Sequence, residues 1–303
     1  MGWRIEMTKL LCATDLLPKS ESAIERAALV AESLQAKLSL LHVVSPFAPQ
    51  RVLEQTLQTA IERMRSRVRP PMWRARSKAG AGVLVGNPTR LIVSSLAREE
   101  ADLLVIGPHG DRGALDSFQD TIAEKVVSAR RCPVLVVQRD ASTAYKRVLL
   151  ALDITAESAA ALRATERLGL TSSGQAAVVH AYASPQFELL PSAHVELAAI
   201  GSHGADLASA VNGAMREFLA RESLRPETYE LIVAEGRPAS TIMRAVESYQ
   251  PDLLVMGSRG HGRLGRAMAG SVANQLLKEA GCDILIVPHR ESNSSLAPSD
   301  RAA

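Results

Sequence analysis

The stretch ADLLVIGPHG, Ala101–Gly110, returns 150 positions later as PDLLVMGSRG, Pro251–Gly260. Each is an apolar run of strand length that ends in a glycine turn. Neither shows polar alternation, which is the pattern of a parallel strand buried on both faces. The repeat extends outward from there. KLLCATD (Lys9–Asp15) matches RVLLALD (Arg147–Asp153) at an offset of 138, and KLSLLHVVS matches QAAVVHAYA at the same offset, setting His42 against His180. VGNP at Val85 matches EGRP at Glu235, and CPVLVVQ (Cys132–Gln138) matches CDILIVP (Cys282–Pro288), both at an offset of 150. The second copy therefore carries 150 less 138, or twelve, additional residues between its second and third strands.

A chain of 303 residues built from such a repeat divides into two halves, each large enough to bury a core. Helical periods such as SESAIERAALVAESL and AESAAALRATERL lie between the strand runs. With right-handed crossovers, this alternation predicts an α/β chain of two tandem doubly wound five-stranded parallel-sheet domains. The expected boundaries are residues 1–140 and 146–290, joined by the polar linker RDASTAYKR, with 291–303 a disordered tail. CPVLVVQ and CDILIVP would be exposed apolar edges in isolated halves, so the halves are expected to pair as an intrachain pseudo-dimer.

Composition narrows the function classes. A net charge of +3 is too small to imply a nucleic-acid partner. The N-terminus lacks the apolar core of a signal segment, and no 18-residue apolar run occurs that could span a membrane. Three cysteines without CxxC spacing suit a reducing compartment, so a cytoplasmic location is expected, with Cys132 and Cys282 as buried strand residues.

The chemistry concentrates in GSRGHGRLGRAMAGS, Gly257–Ser271. In an open α/β sheet, ligands bind beyond the carboxyl ends of strands, where strand order reverses. Asp153 ends the first strand of the second half and Gly257 ends the fourth, so both should flank that crevice. Gly257 and Gly260 are expected to allow close ligand approach and positive φ. Gly270 and Ser271 fall at the start of the last helix, whose free N–H groups and dipole favour phosphate. Arg259, Arg263 and Arg266 give the window a charge of +3. No GK[ST] follows, so this is a phosphate cradle of a different kind from the Walker loop.

The spacing Gly257-x-x-Gly260, nine residues, then Gly270-Ser271, directly after a strand, resembles the motif of the universal stress protein family in its tandem two-domain form. The resemblance runs from Lys9 to Pro288. It implies an adenine-nucleotide alpha-hydrolase-like or flavodoxin-like fold in each half, and final strands that meet across a pseudo-twofold. It also implies ATP binding by the second half. Asp153 would meet the adenosine end and the backbone near Ala181 the adenine. Met256 and Gly257 would lie near the ribose, with Arg259, Gly260, Gly270, Ser271 and Val272 around the phosphates. Magnesium would be held mainly through the phosphates, since the sequence offers no dedicated carboxylate cluster.

The first half departs from the motif. Asp15, Gly107, Gly110 and Thr121 fit, but Asp120 stands where the second half has Gly270, and Pro108 removes an N–H donor. The window Gly107–Thr121 sums to −2, from Asp111, Asp116 and Asp120 against Arg112. Each like-charge contact near 4 Å costs about 1–4 kcal/mol at effective dielectrics of 80 to 20. The first half is therefore expected to have lost triphosphate binding.

Other features read as structural. His42 and His180 occupy equivalent strand ends and need only be inherited packing residues. GSHGADLASAVNGA (Gly201–Ala214) imitates the glycine motif, with eight residues in place of nine and between the wrong strands. The arginine-rich run Arg63–Lys78 reads as a solvated helix face before a Pro-Pro break, with nucleic acid or anionic lipid as its alternative. The expected function is an ATP-binding, nucleotide-responsive stress-survival module with a protein partner, and a homodimer of the whole chain is a further candidate. The alternatives are a slow ATPase or nucleotidyl transferase, with Asp153 or His261 as the base, and a nucleotide-free scaffold. No catalytic residue is assigned.

Overall fold

The computed structural model describes residues 8–47, 49–67, 79–107, 122–123, 125–126, 132–172, 174–183, 200–223, 225–258 and 271–288. The first half contributes β1 (Lys9–Thr14), α1 (Glu21–Leu34), β2 (Lys37–Val44), α2 (Gln50–Arg67), β3 (Ala79–Val85), α3 (Pro88–Glu99), β4 (Leu103–Ile106) and β5 (Val134–Val136). The second contributes β6 (Arg147–Ala151), α4 (Ala156–Arg167), β7 (Gln175–Tyr182), α5 (Ile200–Glu222), β8 (Tyr229–Glu235), α6 (Pro238–Tyr249), β9 (Leu253–Gly257), α7 (Ser271–Glu279) and β10 (Asp283–Val287). The twelve additional residues fall between β7 and β8, where α5 lies.

This is an α/β fold on one mixed sheet of ten strands, in the order β3-β2-β1-β4-β5-β10-β9-β6-β7-β8. Pairing is parallel within each half. The halves join through the antiparallel pair β5–β10, Val136 against Ile284 and Val134 against Ile286. The final strands of the two copies thus cover each other's edges, the pseudo-dimer that their apolar sequences predict.

The unalternating runs are buried on both faces: every residue of β4, β5 and β10 is buried. One apolar cluster lies on the face covered by α1, α2, α4 and α5, and includes Ile24, Met64, Leu162 and Phe218. The other lies under α3, α6 and α7, and includes Ile92, Ile242 and Leu276. Each cluster contains strand residues of both halves, Leu103 with Leu253 in the first and Leu104 with Leu254 in the second. The core is therefore continuous across the join.

Local stops and starts follow from residue type. In the repeated GNP and GRP turns, Gly86 and Gly236 have φ of 152° and 145°, a region L-residues avoid. Pro88 and Pro238 then open α3 and α6 at positions where an N–H would be unsatisfied anyway. Asp102 accepts from the N–H groups of Thr8 and Lys9, and Asp252 from those of Lys146 and Arg147, at 2.7–3.1 Å. The repeated Asp of ADLL and PDLL thus fixes the start of the neighbouring first strand.

The linker departs from the sequence expectation. It is polar in composition, yet Ala141 and Tyr145 are buried. The Tyr145 hydroxyl donates to Asp283 Oδ2 at 2.7 Å, while the N–H groups of Gln138 and Arg139 donate to Asp283 Oδ1 at 2.8 and 3.1 Å. Arg26 of α1 donates to the Thr143 carbonyl at 2.7 Å and stacks 3.9 Å above the Tyr145 ring. The segment is clamped between the halves, not a loose tether. Residues 291–303, the expected tail, lie outside the described residues. Among the described residues, no helix is long and apolar enough to cross a membrane.

Candidate functional site

In the second half the chain runs outward from β6 to β7 and β8, then returns to the other side of β6 as β9. Strand order reverses between β6 and β9, and their C-terminal ends frame the crevice. Helices connecting parallel strands run against them, so α4 and α7 direct their N-termini to this same rim.

Asp153 follows β6 at the mouth and is half-buried. Its Oδ1 accepts from the hydroxyls of Thr155 and Ser158, and its N–H donates to Ser158 Oγ at 2.9 Å. Thr155 in turn caps α4 by accepting from the Ser158 N–H at 3.3 Å. Thr155 is therefore the cap, and Asp153 is the residue that holds it in place. With Oδ1 so engaged, Oδ2 makes no hydrogen bond among the described residues. Ser158 was not singled out from the sequence, although Asp153 and Ser158 repeat the spacing of Asp15 and Ser20.

His180 lies at the end of β7, its Nδ1 2.8 Å from the Leu152 carbonyl. A carbonyl only accepts, so Nδ1 is the donor in this contact. His42 repeats the arrangement, Nδ1 at 2.8 Å from the Thr14 carbonyl. Both histidines tie their strand end to the turn that bears the aspartate, the inherited structural role the repeat suggests. Ala181 is the next residue of β7, half-buried and paired with Ala234 of β8.

Met256 is buried and pairs with Ala151, which brings β9 beside the Asp153 turn. Gly257 corrects an expectation: it is not among the positive-φ residues. A Cβ there would sit 3.2 Å from the backbone carbonyl group of Glu157 in α4. Its missing side chain admits the first turn of α4 against the strand end. Gly107 does the same in the first half, where a Cβ would meet Ser20 Cα at 3.2 Å. Ser258 is buried and donates its N–H to the Val287 carbonyl at 2.9 Å. Ser271 begins α7, and Val272 packs partly against the second core cluster. Arg259, Gly260 and Gly270 lie outside the described residues.

The first-half crevice is built differently. Asp15 is exposed, and its Oδ1 accepts from the Leu17 N–H at 2.9 Å and from the Ser20 hydroxyl. Leu16 has a φ of 61° and turns inward against the core, whereas its counterpart Ile154 is 40% exposed at the second-half mouth. Gly110, Asp111, Asp116, Asp120 and Thr121 lie outside the described residues. The imitation motif Gly201–Ala214 falls inside α5, so it forms no loop. Among the described residues, no group of three or more His, Cys, Asp or Glu side chains gathers as a metal site. Cys12, Cys132 and Cys282 are buried thiols.

The family model described as Universal stress protein family matches residues 7–138 and again 144–288. The chain belongs to the universal stress protein family. It carries two such domains in tandem, which accounts for both the repeat and the antiparallel join. Universal stress protein A homolog 1 of Coxiella burnetii is 32% identical over 142 residues, covering 42% of this chain and 94% of that one. The fold resembles that of a universal stress protein from Archaeoglobus fulgidus at a TM-score of 0.65 and 17% identity, covering 94% of this chain and all of the other. It also resembles a functionally unknown Pseudomonas aeruginosa protein at a TM-score of 0.64 and 18% identity, covering 94% of each chain.

Proposed function

We propose that this universal stress protein is a cytoplasmic, nucleotide-responsive regulatory module with one working ATP site, in its second half. The reading takes each half, residues 1–140 and 146–290, as a doubly wound, adenine-nucleotide alpha-hydrolase-like domain. The supporting observation is Asp153: one carboxylate oxygen is held by Thr155 and Ser158, and the other makes no hydrogen bond among the described residues at the switch point between β6 and β9. An acceptor there suits the hydroxyls of a nucleoside. Gly260, Gly270 and the first N–H groups of α7 are the phosphate-binding groups of this reading, with Arg259 adding positive charge. Magnesium would be held through the phosphates and would neutralise part of their charge.

Nucleotide binding at the Gly257–Ser271 segment would alter a surface offered to a protein partner. Denaturing the purified protein and identifying the released small molecule by mass spectrometry tests this reading. An adenine nucleotide is expected. A protein that releases none and also fails to bind added ATP would instead be a scaffold.

A further inference from the structure

The two crevices differ in the turn that follows the first strand of each half. β1 and β2 stay in register through Thr14–His42, whereas β6 and β7 part after Ala151–Val179, one residue pair sooner. The histidines do not cause this, since His42 and His180 make the same contact with the carbonyls of Thr14 and Leu152. The turn residues do differ. The Thr14 hydroxyl accepts from the Leu16 N–H at 3.0 Å and folds the first turn back on β1. Leu16 takes a left-handed φ of 61° in that turn and packs against the core. Leu152 has no hydroxyl to offer, and Ile154 is β-branched, a side chain strongly disfavoured in the left-handed region. Ile154 stays out of that region and is exposed.

We propose, on the ATP reading above, that Leu152 and Ile154 determine which half accepts the nucleotide, by keeping the turn after β6 from folding back as the turn after β1 does. The early parting of β6 and β7 changes what β7 presents. The Tyr182 carbonyl accepts from the Gly236 N–H at 2.9 Å and so faces β8. Backbone groups alternate along a strand, so the N–H and carbonyl of Ala181 face β6, beyond the last registered pair. They are an adjacent donor and acceptor, the pattern that suits the edge of a nucleobase. Ile154 adds apolar surface at the same mouth for its flat face. In the first half the strand pair runs one residue further and Leu16 is engaged with the core, so neither feature is offered.

Importing the first-half turn into the full chain tests this. In the double variant Leu152→Thr with Ile154→Leu, magnesium–ATP affinity by calorimetry should fall at least about tenfold. Hydrogen exchange of the Ala181 amide, measured without nucleotide, should slow as the strand pair lengthens. Ile154→Asn, at an exposed position where the fold is not at risk, admits the left-handed conformation and should also weaken binding. Ile154→Val keeps the β-branch and should bind as the parent does. A parent that binds ATP while the double variant or Ile154→Asn binds equally well overturns the proposal and leaves the ATP reading standing. Unchanged Ala181 exchange in a folded double variant, or a loss of binding in Ile154→Val, also overturns it. A parent that binds no ATP overturns the ATP reading and this assignment with it.

Discussion

Arg26 on α1 and Asp283 at the head of β10 stand 3.2 Å apart, with side-chain exposures of 6% and 0%, and form a buried ion pair between the two halves. The Arg26 Nε–H is not aligned for a hydrogen bond, so the contact is ionic. Asp283 also accepts from the N–H groups of Gln138 and Arg139 and from the Tyr145 hydroxyl. The repeat places Ala164 and Pro133 at the equivalent positions, so only one side of the pseudo-twofold carries the pair.

Removing one partner should cost more than removing both. Asp283→Ala leaves Arg26 buried beside an apolar gap, and the expected loss is about 3–5 kcal/mol in urea denaturation. Adding Arg26→Met should recover part of it, giving a favourable coupling in the double-mutant cycle. Strict additivity would show that the pair does not hold the halves together.

The fold should weaken in alkali. Burial pushes the Cys12 and Cys282 thiols from 9.0 up to about 12. Burial, and then the charge of Asp283, hold the Tyr145 phenol well above 10.0. A raised folded value means the neutral form favours the fold. This contribution is complete below pH 9 and is lost as the pH climbs towards 12. Denaturation midpoints across that range should fall, and less steeply in Cys12→Ala than in the parent. An equal slope would remove Cys12 from the account.

The strand glycines should respond oppositely to alanine. Gly257→Ala drives a Cβ to 3.2 Å from the Glu157 backbone and should cost about 1–3 kcal/mol. Gly80→Ala meets open space and should be neutral or slightly stabilising. Thermal melts distinguish the two.

What the sequence could show depended on distance and symmetry. Features that repeat were legible: Asp15 with Asp153, His42 with His180, and the two apolar final strands that meet at β5–β10. The Arg26–Asp283 pair was not, because it joins non-equivalent positions and has no counterpart in the other copy. The linker misled for a related reason, since Tyr145 is one apolar ring in a polar segment and its burial depends on α1 and β10. At Gly257 the residue type was informative but its cause was not. A glycine after a strand reads as a ligand contact, while the close neighbour is the first turn of α4.

The two aspartates should differ in their effect on ligand binding. Asp153→Ala is expected to weaken ATP binding at least about tenfold, the loss of one good polar contact. Asp15→Ala should leave the affinity unchanged, since the proposed site lies in the second half. Equal effects in a fluorescent-ATP titration would contradict this division of labour.

Calorimetric titration of the full chain with magnesium and ATP, run beside Gly270→Asp, tests the central claim most directly. The variant copies the residue that the first half already carries as Asp120, so it should remain folded with an unchanged melting temperature. The account predicts one site per chain in the parent and none detectable in the variant. Two equal sites in the parent, or undiminished binding by a folded Gly270→Asp protein, would contradict it.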